Sequence, residues 1–472
     1  MREYLKFYID GQWVVPAEPK TADVINPATE EVSGHISLGG LADVEKAVAA
    51  ARRAFPSWSN TTREARLEIL QNIQAEYTRR QGELGEAIME EMGAPSGLAN
   101  GFHVFLGAGH LQTAIEVLKE FKFEEQRGST RIVKEPIGVC ALITPWNWPM
   151  NQTTVKTFPA LATGCTMILK PPQLAPYSAQ ILAEIIHSAG VPAGVFNMIQ
   201  GSGALIGTAL STHPEVDMIS FTGSEGVGVQ IAQNAAPTVK RVCQELGGKS
   251  PFIVLDDSAL AKNVADATST MMGNSGQTCS AGSRLLVPAA RLEEAITAAR
   301  DAANAVTVGD PRGNVAMGPV VSKGQYNIIQ EYIEKGIAEG AQLIAGGPGR
   351  PEGIEKGWFV RPTVFVGNNG MVIAREEIFG PVLVMIPYKD AEDAVAIAND
   401  SNFGLAGYVS GEDGEQCRAI ARRLRAGWIG INGGFDFHAA FGGYKRSGNG
   451  REWGEFGFHE YLEIKSLLGY GA

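Results

Sequence analysis

The chain has 472 residues, a formal net charge of −11, 44% hydrophobic and 19% charged residues, and 57 glycines. That length exceeds one small core and implies roughly two or three domains, with the composition of a turn-rich α/β protein. Arg422, Arg423 and Arg425 form only a short basic cluster, so nucleic acid and acidic membrane are excluded as expected partners.

Five cysteines, at 140, 165, 243, 279 and 417, are odd in number and include no C-x-x-C pair. Neither a metal site nor a disulfide framework is expected, and a reducing cytoplasm fits. The opening Met1-Arg2-Glu3-Tyr4 has no signal-peptide pattern, and the apolar run 137–143 falls far short of a membrane span.

Residues 7–40 read as short strands and turns, with Asp10-Gly11 as a hairpin signal. An apolar stripe of Val44, Ala47, Val48, Ala51 and Phe55 predicts a helix over 41–55. Thr61-Thr62-Arg63-Glu64 reads as a capping box for the next helix, which carries Leu67, Leu70, Ile73 and Tyr77. A third helix is expected over 102–119, with Phe102 and Phe105 assigned to the core. The polar, alternating stretch 121–135 reads as an exposed ribbon and a candidate subunit contact.

Five short apolar runs follow, at 138–143, 166–169, 195–199, 218–222 and 241–246, separated by helix-like segments at 152–163, 177–190, 202–212 and 225–236. Continuous apolar strands alternating with helices predict a parallel, doubly wound sheet that binds a nucleotide at its carboxyl edge. A second α/β stretch is expected from 250, with strands at 283–287, 382–386 and 428–432 and helices at 259–274, 290–305 and 391–399. The tail 460–468 reads as one added strand.

The chemistry-bearing stretches lie at the ends of these runs. Cys279 stands in Gly276-Gln277-Thr278-Cys279-Ser280-Ala281-Gly282, where small neighbours leave both sulfur and backbone N–H approachable. Alone it reads far more readily as a small buried hydrophobe. Asn147, in the stiff Thr144-Pro145-Trp146-Asn147-Trp148-Pro149, is either an oxyanion donor or a turn residue bonding its own backbone. Glu245 leaves an apolar strand, either as a partly desolvated base or as a carboxylate facing water. Lys170 closes the second strand, beside a ribose or in solvent. Phe221-Thr222-Gly223-Ser224-Glu225-Gly226-Val227-Gly228 joins a strand to a helix N-terminus, a place suited to phosphate.

Six ordered stretches together resemble the NAD(P)-dependent aldehyde dehydrogenase superfamily: PWNWP (145–149), FTGS (221–224), ELGGKS (245–250), GQTCSA (276–281), EEIFGPV (376–382) and FGGYKRSG (441–448). The resemblance implies Cys279 as nucleophile, Glu245 as general base and Asn147 with the Cys279 N–H as oxyanion donors. It implies cofactor contacts from Trp146, Lys170, Gln173, Gly223, Ser224, Val227, Leu246, Glu377 and Phe379, and no metal. The fold it implies is a Rossmann-like doubly wound cofactor domain (1–119 and 137–247), a second α/β catalytic domain (248–448) and a β-ribbon oligomerisation element (120–136 and 449–472). The expected activity is oxidation of an aldehyde to a carboxylic acid with NAD or NADP, through a thiohemiacetal and a thioester hydrolysed by glutamate-activated water. A cytoplasmic homodimer or homotetramer is implied.

Three positions depart from the family pattern. Gln173 replaces a frequent glutamate, which removes repulsion of a 2′-phosphate and admits NADP. Glu225-Gly226 replaces a threonine-containing pair, and Ala440 stands where proline commonly precedes FGG. The loop 434–439, with Trp148, suggests an apolar or aromatic aldehyde. An acyl-transferring relative that uses coenzyme A and an inactive binding protein are the competing readings.

Overall fold

The computed structural model describes residues 1–471. Its largest sheet has eight strands in the order Gly448–Asn449, Arg241–Glu245, Met218–Thr222, Val139–Ile143, Thr166–Lys170, Phe196–Met198, Phe7–Ile9 and Gln12–Val14. The five middle strands are parallel, and Val139–Ile143 is paired on one side with Thr166–Lys170 and on the other with Met218–Thr222. Strand order therefore reverses at Val139–Ile143, which opens a crevice beyond its carboxyl end.

Helices cover both faces: α1 (Leu41–Ser59), α2 (Arg63–Arg79), α3 (Gln81–Met92), α4 (Val104–Glu120), α5 (Pro149–Thr163), α6 (Tyr177–Ser188), α7 (Thr208–Thr212) and α8 (Glu225–Ala235). Side chains alternate along a strand, so one strand feeds two cores. Val139, Ala141 and Ile143 pack with Val44, Val48 and Ala51 of α1, while Cys140 and Leu142 pack with Leu161 of α5 and Leu182 of α6. This double burial is why the strands read as unbroken apolar runs.

The second sheet has seven strands, in the order Gln342–Ala345, Thr363–Val366, Val382–Tyr388, Arg284–Pro288, Pro251–Val254, Ala406–Ser410 and Trp428–Ile431. Helix α9 (Leu260–Met272) packs on it and leads into the cysteine segment. A third sheet pairs Leu462–Leu467 with Thr130–Pro136 and Glu124–Arg127, so the tail joins the exposed ribbon. No helix among the described residues is long and apolar enough to cross a membrane.

Several local expectations change. The Thr61–Glu64 box is a single cap: the Thr62 hydroxyl accepts from Ala65 N–H at 3.2 Å. The other half of such a box stands at α1, where the Asp43 carboxylate accepts from Gly40 N–H at 3.0 Å and Gly40 has no side chain to return the bond. Helix α3 lies outside the expectations: Arg80 alone separates it from α2, as last cap of one and first cap of the other, and Gly82 falls inside the first turn of α3 rather than between the two helices. A π-helical turn, Leu98–His103, precedes α4 and turns Phe102 onto a cavity wall with 41% of its surface exposed, so Phe102 is not core.

Arg284 ties the second sheet together. Its guanidinium, only 1% exposed, donates to the carbonyls of Lys249 (2.9 Å), Ile397 (2.9 Å) and Ala398 (2.8 Å) and to Asn369 Oδ1 (2.9 Å). Arg284→Met leaves these acceptors buried and unpaired, and is expected to cost about 3 kcal/mol, read as a lowered thermal midpoint.

Candidate active site

The cysteine segment begins with strained backbone. Asn274, Ser275 and Gly276 have φ of 52°, 55° and 70° in succession. Left-handed conformation costs a non-glycine residue about 1 kcal/mol or more, so the surroundings must fix it. The Asn274 amide donates to the Asn147 carbonyl (2.8 Å) and the Gln277 carbonyl (3.2 Å), and its oxygen accepts from His103 Nε2 (3.2 Å). The Ser275 hydroxyl donates to the carbonyls of Gly318 and Pro319. Gln277 donates to the Asn274 carbonyl and accepts from Val321 N–H. At Gly276 an added Cβ would lie 2.1 Å from the Gly380 carbonyl oxygen, so only glycine fits.

Asn147 leaves the crevice strand and reaches this segment. It is 2% exposed, and its side-chain amide donates to the Gln277 carbonyl at 3.1 Å. Trp148 Nε1 donates to Thr278 Oγ1 at 3.0 Å. The loop from the first sheet is thus stitched to the residues on either side of position 277, on the same side of the molecule as Cys279. In this arrangement Asn147 is engaged with backbone and does not itself form the cavity wall.

Cys279 and Glu245 line one cavity of about 860 Å³. Protein surrounds the Cys279 sulfur, which keeps a partly exposed face toward that space. Burial first, and then the nearby carboxylates of Glu377 and Glu245, pushes the thiol up; the Ser280 and Cys279 N–H groups act against the shift. Glu245 is 2% exposed, and neither of its carboxylate oxygens has a hydrogen-bond partner. Burial, and then the like charge of Glu452, raises it well above the usual carboxylate range. Glu452 lines the same cavity and pairs with the fully buried ammonium of Lys156, which also donates to Ser220 Oγ at 3.2 Å. A buried carboxylate without partners costs stability, so its place calls for a chemical reason.

The remaining cavity wall is largely aromatic. Phe102, Trp148, Phe435, Phe441 and Trp453 contribute, with the Tyr408 hydroxyl donating to the Ser280 carbonyl at 2.8 Å. Phe102 meets Trp148 at 5.6 Å and Phe435 at 6.3 Å, edge to face. Phe441 stacks on Trp453 at 5.1 Å.

The positions assigned to a dinucleotide lie at the carboxyl ends of the parallel strands. Lys170 ends its strand nearly buried, donates only to the Pro171 carbonyl (3.0 Å), and is pushed down to about 8 by burial. Gln173 is half-buried close by. Ser224 caps α8 without a side-chain hydrogen bond, Gly223 precedes it, and Val227 stands exposed on its first turn. Glu225 at the same helix start pairs with Arg446, so the acid does not oppose an anion there uncompensated. Leu246 packs beneath Gly228. Across the crevice, Glu377 accepts from Gly248 N–H at 3.0 Å and is raised to about 7 by burial. Gly247 faces the same carboxylate, where a Cβ would come within 2.2 Å of Oε2. Phe379, with φ of 57°, meets Trp146 edge to face at 5.3 Å. A spare lysine cation, an open helix N-terminus and a carboxylate in reach of ribose hydroxyls fit the donor set of a pyridine dinucleotide.

A family model described as "Aldehyde dehydrogenase family" matches residues 13–467. The chain belongs to the aldehyde dehydrogenase family. It is 52% identical to 3-succinoylsemialdehyde-pyridine dehydrogenase of a Pseudomonas species, over 100% of this chain and 99% of that one. A crystal structure of a mutant of aldehyde dehydrogenase C from Pseudomonas syringae, complexed with NAD+ and octanal, is 49% identical with a TM-score of 0.98, covering 98% of this chain and 96% of that one. A Mycobacterium tuberculosis aldehyde dehydrogenase complexed with NAD+ is 39% identical with a TM-score of 0.96, covering 99% of this chain and 97% of that one. This chain is an NAD(P)-dependent aldehyde dehydrogenase of mixed α/β fold, and NAD or NADP fits its cofactor positions.

Within this aldehyde dehydrogenase, sequence reasoning missed Lys156, Glu452, Trp453, His103 and Asn274. Lys156 is the one charged residue of α5, and that was the available signal for the first pair. Nothing in the sequence marks His103, which stacks on Trp148 at 4.2 Å and is held neutral by burial, down at about 3. Glu452→Gln removes a like charge and leaves Lys156 unneutralised, so Glu245 is expected to titrate at lower pH than in the parent. Infrared difference spectra of the Glu245 carboxyl band across pH check this.

Proposed function

We propose that this aldehyde dehydrogenase oxidises an elongated, apolar aldehyde to its carboxylic acid through covalent attachment to Cys279. The observation that carries the reading is the shared cavity, where a sulfur nucleophile and a buried carboxylate with no partner of its own meet an aromatic wall. The octanal bound by the Pseudomonas syringae relative and the pyridine-bearing semialdehyde in the name of the Pseudomonas relative agree with such a tail.

Because burial keeps Cys279 as a thiol at rest, its proton passes to Glu245 as the sulfur adds to the carbonyl carbon. The new oxyanion takes the Cys279 N–H, and the Asn147 amide, whose first N–H is held by Gln277 behind the cavity wall, adds a donor by turning its second N–H inward. The carbonyl then re-forms as hydride leaves carbon with its electron pair, giving a thioester on Cys279. Bound NAD(P)+ supplies the acceptor for that hydride. Glu245 loses the first proton to solvent; water then adds to the thioester as Glu245 takes its proton, and the carbon–sulfur bond breaks to release the acid and a thiolate, which recovers the resting thiol by taking that proton from Glu245. Burial, and then the charge of Glu452, raises Glu245 for this proton traffic, with Lys156 acting against the rise.

We assign the cofactor to 1–119 and 137–247, the nucleophile to 248–448, and subunit bridging to 120–136 and 449–472, of which Ala472 lies outside the described residues. The half-buried strand Thr130–Pro136 and the exposed Ile464 and Leu468 favour a homodimer or homotetramer joined through that ribbon. A cytoplasmic location agrees with five free cysteines.

Cys279→Ser is expected to abolish turnover. Glu245→Gln takes away the acceptor of the thiol proton, so the first hydride burst, seen by cofactor absorbance, is expected to slow but keep its amplitude, while steady-state hydrolysis falls about 10²- to 10⁴-fold. A burst of unchanged rate counts against Glu245 as acceptor of the thiol proton, and acyl-CoA formed on adding coenzyme A counts against hydrolysis. Gln173→Glu is expected to lower kcat/KM with NADP+ by about 10- to 100-fold through repulsion of the 2′-phosphate, with NAD+ kinetics as the control.

A further inference from the structure

Helix α4 carries a glycine, Gly109, in its interior, where glycine weakens a helix relative to alanine. The space it leaves is filled by one ring. A Cβ at position 109 would lie 2.1 Å from Cζ of Phe437 and 2.5 and 2.6 Å from its two Cε atoms. Phe437 belongs to the loop 434–440, and its seated ring meets Phe105 at 5.5 Å, His110 at 5.2 Å and Phe435 at 5.0 Å. A second tether holds the loop to the same helix, where His438 Nε2 lies 3.1 Å from Glu116 Oε2.

Phe435, two residues before Phe437, is the loop's contribution to the cavity wall, touching Phe102 and Trp453. Phe102 and Phe435 are 41% and 45% exposed, so they form the cavity mouth, whereas Glu245 lies buried within. Gly109 does not itself line the cavity.

We propose that Gly109 is a specificity-positioning residue: the bare helix surface seats Phe437, which holds Phe435 against the mouth and thereby grips the apolar tail of the aldehyde. The proposal rests on the reading of the cavity as the aldehyde site. A side chain at 109 lifts Phe437 and carries Phe435 with it, while His438 keeps the loop attached and the buried reacting groups stay in place. Tail recognition changes and chemistry does not.

The test compares octanal with propanal in the parent, Gly109→Ala, Phe437→Ala and the double variant. Alanine favours the helix, so Gly109→Ala folds. Its KM for octanal is expected to rise about tenfold, while its kcat and its KM for propanal stay within about twofold of the parent. In the Phe437→Ala background, Gly109→Ala has no further effect on octanal, since the ring it would displace is gone. Octanal and propanal KM values that move together, or a Gly109→Ala effect that persists undiminished without Phe437, overturn the proposal. Octanal titrated into Cys279→Ala, with and without Gly109→Ala, and followed by tryptophan fluorescence, reads tail binding without turnover. A parent that oxidises neither aldehyde refutes the catalytic reading, while this binding arm still decides the role of Gly109: equal octanal affinity in the two backgrounds, or none in either, overturns it.

Discussion

Everything at this site depends on three consecutive left-handed residues, Asn274, Ser275 and Gly276, being held in place. A peptide chain does not adopt that run unaided. It persists because one carboxamide, that of Asn274, bonds the carbonyls of Asn147 and Gln277 and takes a hydrogen from His103. Those contacts come from the loop that leaves the crevice of the first sheet and from the helix before α4. The segment that presents Cys279 is therefore fixed by residues distant in sequence, and the two large sheets meet through hydrogen bonds rather than through loose apolar packing alone.

The second constraint is electrostatic. Lys156, Glu452 and Glu245 are all removed from water, and only the first two are paired. Two carboxylates with one ammonium in a poorly solvated space cannot all stay charged at little cost, so one must rise, and the unpaired one does. The strong buried pair is the fixed element and Glu245 is the responsive one. The same poor solvation keeps the Cys279 sulfur protonated, so the proposed route calls for a proton acceptor beside it.

The parallel strands and their helices were legible because strands covered on both faces read as unbroken apolar runs, as at Val139–Ile143 and Met218–Thr222. Each assigned cofactor position follows such a strand or faces one across the crevice. Elements with weaker contrast were lost: the strand Ala406–Ser410 is small and half polar, and Gln81–Met92 follows its neighbour without a break. At the site, Cys279, Glu245 and Asn147 announced themselves by their unusual local sequence. The residues that hold them did not, because His103, Asn274 and Lys156 act through contacts that exist only after folding. Phe102 was misassigned for a related reason: an apolar residue at helical spacing reads as core, and the π-helical turn that redirects it has no sequence mark.

At Gly276 the backbone rests against the carbonyl of Gly380, with no room for even a methyl group between them. Gly380 directly follows Phe379, and Glu377 lies three residues before it. The stretch that would face a nicotinamide and the stretch that presents the sulfur are thus back to back, like two pages glued along a margin. Altering the proposed cofactor side without disturbing the proposed nucleophile requires changes that stop short of that seam, whereas any substitution that moves the seam shifts both stretches at once.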